Sequence, residues 1–424
     1  MIQRFLLPAV ILGGCLFCHA AEEKLIIVDE GMWQADNGRL SYFEDGRMVS
    51  NEWFREINGF KLGDTPNDII QISEDLIAIS VNWSNIIQFI NPDGKALGAT
   101  EGIPNVRCLA TDGKYLYASS YAHECETLSG PVSFEKGFVA KIDPADYQVV
   151  KVCEVGYEPE GIAYYDGMLF VANSGGYAFQ EDHDYEHTVS ILDADTMSIA
   201  GEVDTGHINL YGKMSQTGKY LCINSAGDYY EHPACGIILD CEKALMSPET
   251  SFASIPYAVT YNCAFQNDTF LAIGAAYSYI SGEYEFNYMI LDPQKIIETS
   301  GSEGISFSLP GSMKRDIENM SSPYGIYMNP YTGMIYATDA GNYGSGGTLY
   351  QWTPEGIFTG TYPTYINPGA FLALRPDSFL SSITNITSEP DFKNSELIFD
   401  IFGRRIINPV KGQIYIQDGN KIIY

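Results

Sequence analysis

A repeated phrase runs through most of this 424-residue chain and limits its fold more than any other feature. One copy reads Glu158-Pro159-Glu160-Gly161-Ile162-Ala163, then Asp166-Gly167-Met168-Leu169-Phe170-Val171-Ala172-Asn173, and after a loop Thr188-Val189-Ser190-Ile191-Leu192-Asp193. That grammar is a first strand, a tight turn with Gly, a second strand, a loop, and a third strand ending in Asp. A fourth strand is expected near Ser198 to Val203. The pattern returns at Thr65-Pro66-Asn67 with Leu76 to Ser80, at Pro104-Asn105 with Tyr115 to Ala118, and at Thr217-Gly218 with Tyr220 to Asn224. It returns again at Ile255-Pro256-Tyr257 with Phe270 to Gly274, and at Ser322-Pro323-Tyr324 with Ile335 to Ala337. The opening prolines 66, 104, 159, 323 and 368 set units of about 40–50 residues, the size of a β-propeller blade. The strands run apolar because stacked blades bury both of their faces.

A seventh unit is split between the two ends of the body. Asn367 to Leu374 supplies a first strand alone, and its partners are expected in Leu25 to Val28 and Gly38 to Phe43. Closing the ring with strands from both ends removes the open edge. The fold class expected is therefore all-β: a seven-bladed propeller closed by N- and C-terminal strands, plus a small C-terminal β segment. Residues 1–20 read as a signal peptide, 21–375 as the propeller, 376–395 as a polar linker, and 396–424 as the short β segment, with three strands.

Net charge is −30, from 24 basic and 54 acidic residues, so phosphate backbones are repelled and nucleic acid is excluded as a partner. Arg4 followed by the apolar run Phe5 to Phe17 is too short to span a membrane and reads as an export signal. Cleavage after Ala20 is one reading. Leu12-Gly13-Gly14-Cys15 offers another, a lipid anchor on Cys15, the sole route by which the chain would hold a membrane. Either way the expected location is the cell surface, outer membrane or periplasm. Seven cysteines follow Ala20, none in a CxxC spacing, which gives no support to zinc or thioredoxin chemistry. Cys108, Cys153, Cys222 and Cys263 sit in strand-like runs as small hydrophobes; Cys125 and Cys235 fall in expected loops, where a disulfide is open.

The Glu-Gly-Ile-Ala and Leu-Phe-Val-Ala-Asn phrases resemble the YVTN-type (YncE-like) propellers of exported bacterial proteins. The opening Asp29-Glu30-Gly31-Met32-Trp33, with Leu40-Ser41-Tyr42-Phe43 and Leu62-Gly63-Asp64-Thr65-Pro66-Asn67-Asp68-Ile69, resembles a surface propeller group of Gram-negative bacteria. Some members of that group capture corrinoids, vitamin B12 and its relatives, beside an outer-membrane transporter. The resemblance spans about residues 25 to 375. It implies a non-catalytic binding protein, a corrinoid as possible bound ligand with no cofactor required, and an outer-membrane transporter as possible partner. Phe399 to Arg405 with Gly412 to Ile416 resembles a short version of the C-terminal sorting domain of secreted proteins in such bacteria.

No nucleophile elbow, HExxH, P-loop or dinucleotide fingerprint is present. Asp182-His183-Asp184-Tyr185-Glu186 alternates oxygens but lacks the Gly and distal Glu of a calcium loop, and reads as a solvated acidic loop. The loops of one propeller face, in contrast, are rich in rings. The candidate binding residues are Trp83, Tyr121, His123, Tyr177, His187, Tyr229, Tyr230, Tyr279 and Tyr343. Aromatic faces among amides and carboxylates suit a large ligand, partly flat and partly polar; packing of the loops against one another is the alternative use. Three function classes follow: capture of a large amphipathic nutrient, adhesion to a protein or glycan, and a propeller enzyme of lactonase or quinoprotein type. The fold alone does not separate them.

Overall fold

The structure is a computed structural model. It describes residues 23–123, 135–178, 183–228, 230–278 and 283–375, and in the C-terminal segment 398–400, 405–406, 411, 414–417 and 420–423. Lys24–Leu374 forms one compact unit, and the described C-terminal strands fall outside it. The export segment with Cys15 and Ala20, the linker 376–395, and Cys125 lie outside the described residues.

Lys24–Leu374 is a seven-bladed β-propeller of four-stranded antiparallel sheets. The inner strands of blades one to seven are Pro66–Ser73, Val106–Thr111, Pro159–Tyr165, Ser215–Thr217, Tyr261–Phe265, Pro323–Met328 and Pro368–Leu374. Blade seven is the split one. Pro368–Leu374 pairs antiparallel with Lys24–Asp29, in a register that sets Ile27 opposite Phe371 and Leu25 opposite Ala373. Arg39–Glu44 and Arg47–Ser50 complete it.

Lys24–Asp29 shows why the strands read as unbroken apolar runs. Leu25 and Ile27 pack toward blade six, with Tyr336 and Leu349. Ile26 and Val28 pack toward blade one, with Ile69, Ile77 and Ile79. Period-two alternation thus serves two neighbours, and each such side chain, fully buried, is worth about 1.5–3 kcal/mol.

The recurring prolines have a partner that the repeat did not disclose. A Cβ on Gly38 or Gly137 would fall 2.1 Å from the ring of Pro66 or Pro159, and one on Gly347 would fall 3.0 Å from Pro368. Each of these glycines directly precedes the third strand of one blade, and the proline opens the inner strand of the next. Proline tolerates that first-strand position because no ladder donor is required there, and the bare glycine lets the ring seat against it.

Two sequence expectations need correction, and one element was not expected. The C-terminal segment forms four strands, in the order Arg405–Ile406, Ile398–Asp400, Ile414–Gln417, Asn420–Ile423. The extra strand is a two-residue return, too short to leave a periodic signal. Cys235 is buried at the start of the strand Cys235–Asp240, with a free thiol, rather than in a loop. The short helix Trp53–Asn58, which buries Trp53 and Phe54, was also unforeseen, since under two turns cannot show a 3.6-residue period.

Candidate functional site

Inner strands of a propeller line its central channel, and most of those here are interrupted near the point where they begin. Register breaks lie between Pro66 and Asp68, Val106 and Leu109, Pro159 and Ile162, and Pro323 and Gly325, and opposite Val28/Asp29 between Pro368 and Ala370. A bulge re-aims the residues it leaves unpaired. Those residues include Asn67, Arg107, Cys108, Glu160, Tyr324 and Gly369, and all six line a cavity of about 750 Å³ reached by the inner strands of all seven blades. Its apolar wall includes Ile70, Leu109, Ile162, Met214, Ile326 and Phe371.

Arg107 and Glu160 form a bidentate ion pair on the lining. Arg107 Nη2 lies 3.0 Å from Glu160 Oε1, and its Nε donates to the same oxygen at 3.2 Å. The Tyr121 hydroxyl donates to Glu160 as well, while the guanidinium sits 5.1 Å from the Tyr121 ring centroid. Glu160 is only 1% exposed at its side chain. Burial works most strongly against the Arg107 charge, but the Glu160 carboxylate and smaller contributions from Tyr121, Tyr211 and Cys108 together offset it and hold the guanidinium above its usual range. Lys213 pairs with Asp68 in the same way, and Asp68 also accepts the Leu109 amide at 2.8 Å.

Glu30 stands apart. The Tyr324 hydroxyl donates to its Oε2 at 2.7 Å, and burial raises its carboxyl to about 7. Neighbouring Asp29 accepts from Ser41 at 2.6 Å and is raised by burial to about 8. Rings surround the cavity. Trp33 and Trp83 meet edge to face at 5.0 Å, and Tyr324 lies 5.6 Å from Tyr261 and 5.9 Å from Tyr343.

Of the nine residues singled out in the sequence, Trp83, Tyr121 and Tyr177 line the cavity. Tyr343, half exposed, is not on the lining, though its ring packs against that of Tyr324, which is. His123 is buried behind it, 3.2 Å from Glu158 Oε1, with its ring 5.1 Å from that of Tyr177. His187 pairs with Asp204 at 2.7 Å on the surface, and Tyr230 is 80% exposed; neither joins the cavity lining. Tyr229 and Tyr279 lie outside the described residues. The described part of the acidic stretch, residues 183–186, is not wholly solvated. His183 turns inward, stacks on Tyr157 at 4.1 Å, and meets Glu158 Oε2 at 3.2 Å. Glu158 thus lies between two imidazoles, yet among the described residues no group of three or more His, Cys, Asp or Glu is arranged to hold a metal ion.

The charged half of the site was missed: Glu30, Asp68, Arg107, Glu160 and Lys213. A signal for part of it was present. Asn67, Glu160, Tyr324 and Gly369 each directly follow an opening proline, the position the bulge turns into the channel.

No protein-family model matches this chain, and no curated protein matches it either. Solved structures do. A quinoprotein alcohol dehydrogenase-like protein from Bacteroides thetaiotaomicron superposes with a TM-score of 0.51 at 10% identity, over 84% of this chain and 78% of that one. Hydrazine synthase of Kuenenia stuttgartiensis gives 0.50 at 15% identity, over 72% of this chain and 88% of that one. Such low identity shows the fold alone: a seven-bladed propeller with quinoprotein-type propellers among its structural neighbours.

Proposed function

We propose that the chain is a non-catalytic ligand-binding propeller that captures a large amphipathic nutrient, with a corrinoid as leading candidate. The observation that carries this reading is the cavity of about 750 Å³, apolar along its wall and ringed by tryptophan, tyrosine and hydrogen-bonding groups. That volume falls within the range of small-molecule clefts. A corrin is broad and nearly flat, with amides at its rim. Trp83 and Tyr177 offer ring faces to it, while Asn67 and Arg107 offer donors to its carbonyls. A site assembled from seven rigid blades loses little freedom on binding, which favours affinity. The resemblance of Asp29–Trp33 and Leu62–Ile69 to corrinoid-capturing surface propellers supports the same ligand. Export to the cell surface or periplasm, by cleavage after Ala20 or lipidation at Cys15, belongs to this reading, as does an outer-membrane transporter as partner. N-terminal sequencing and mass analysis of the mature protein check the export.

Calorimetry with cyanocobalamin tests the ligand. Binding is expected, weakened about tenfold or more by Trp83→Ala together with Tyr177→Ala. Absence of heat at millimolar cyanocobalamin removes the corrinoid; binding untouched by the two substitutions removes the cavity as its seat.

A further inference from the structure

Four charged side chains line the cavity among the described residues: Glu30, Arg107, Glu160 and Lys213. Arg107 is matched by Glu160, and Lys213 by Asp68 beneath the lining. Glu30 has a hydroxyl for a partner and no cation in contact among the described residues, so the ionised cavity is one positive charge short. Burial opposes that ionisation, which is the usual mark of a carboxylate awaiting a countercharge. The surroundings are suited to supplying one from a ligand. Tyr324 occupies Oε2 and leaves Oε1 over Gly369, where a Cβ would stand only 2.9 Å away. The missing side chain is what keeps room beside that oxygen. The Tyr324 and Tyr261 rings flank this end, and aromatic faces attract cations. Asn262, also on the lining, has a buried Oδ1 with no hydrogen-bond partner among the described residues, so a further acceptor is unused.

We infer that the Glu30–Tyr324 end of the cavity is a subsite for a cationic nitrogen, a protonated amine carried by the ligand. The inference rests on the reading that the cavity takes a ligand, but not on that ligand being a corrinoid. The carboxylate and ammonium would form a charge-assisted hydrogen bond inside an aromatic enclosure, worth more there than in water. Uptake of the amine would drive the Glu30 proton into solvent. The groups facing Glu30 are Tyr324, Tyr211 and Arg107, each held above its ordinary range and so constant between pH 6 and 8. Asp29, next in the chain, titrates in that window, so the Glu30 variant is the necessary control.

The test uses the mature full chain with tryptamine and tryptophol, which share an indole and differ in ammonium versus hydroxyl. Calorimetry is expected to show tryptamine binding more tightly than tryptophol by about tenfold at pH 8. That preference should fall about tenfold at pH 6, where Glu30 is mostly protonated. Glu30→Gln should abolish both the preference and its pH dependence. Gly369→Ala, which crowds Oε1, should weaken tryptamine and spare tryptophol, and it stands in if Glu30→Gln proves unstable. Equal affinities for the two probes, no binding of either, or a preference that survives Glu30→Gln overturns the inference. A cyanocobalamin titration run beside it separates the two readings. Discrimination without cobalamin binding leaves the amine subsite and removes the corrinoid; cobalamin binding without discrimination removes the subsite alone.

Discussion

On one wall of the cavity Glu160 meets Arg107 at 3.0 Å and a tyrosine hydroxyl besides; on the other, Glu30 meets, among the described residues, only the Tyr324 hydroxyl, at 2.7 Å. Both carboxylates come from the propeller's channel mouth, and both lose water to the same cavity. Glu160 recovers the loss within the fold. Glu30 does not, and its carboxyl rises to about 7. The first arrangement holds the ring together, and the second leaves an electrostatic demand for something that arrives. One channel can therefore carry both a structural and a recognition pair, told apart by whether a cation is built in.

The largest effect expected from breaking this contrast is at the paired wall. Glu160→Gln strands the Arg107 charge and should lower stability by about 3 kcal/mol, read as a fall in urea midpoint. Adding Arg107→Met should recover most of that loss. A cost below about 0.5 kcal/mol for Glu160→Gln would show that the pair is screened like any surface ion pair.

A smaller effect of opposite sense is expected at Glu30. Its folded value of about 7 lies above the ordinary 4.5, so the folded state holds the proton more firmly. The stability this gives is complete below about pH 4.5 and lost as pH rises toward 7. Glu30→Gln should therefore match the parent near pH 4 and exceed it at pH 8, by on the order of 2 kcal/mol after discount for partial exposure. Chemical denaturation of both proteins across that range gives the difference directly. A gap that is flat with pH, or that favours the parent at pH 8, contradicts the assignment.

The smallest effect belongs to Tyr324→Phe. Removing this donor to Glu30 should cost about 1 kcal/mol and move the Glu30 titration further upward, followed by carboxyl carbon NMR. A downward move would mean that the hydroxyl does not donate to the carboxylate.

How much of this was legible in the sequence differs between scaffold and site. The split blade could be read from Pro368–Leu374 and Leu25–Val28 because a strand with no neighbour is conspicuous against a repeat. The ring-rich loops gave Trp83, Tyr121 and Tyr177, which the cavity gathers; by the same criterion His187 and Tyr230 were chosen, and they stand outside it. Loop membership fixes the face of the propeller but not the radius at which a side chain ends. Arg107 and Lys213 drew no notice, since a single basic residue in an acidic chain carries no pattern.

The sequence by itself determined the blade count, the strand grammar and the closure of the ring. Those follow from local chemistry repeated from blade to blade: turn residues at fixed offsets, period-two apolar runs and, in four blades, prolines where no ladder donor is required. The tertiary structure alone decided that Glu30, Arg107, Glu160, Lys213 and Tyr324, scattered across nearly the whole propeller, share one cavity. It decided also which carboxylate has a cation. In five of the seven opening segments a bulge turns residues toward the axis, and the ring's closure sets which of those residues face each other. Pairing across a channel is a property of the closed circle, and no single blade contains it.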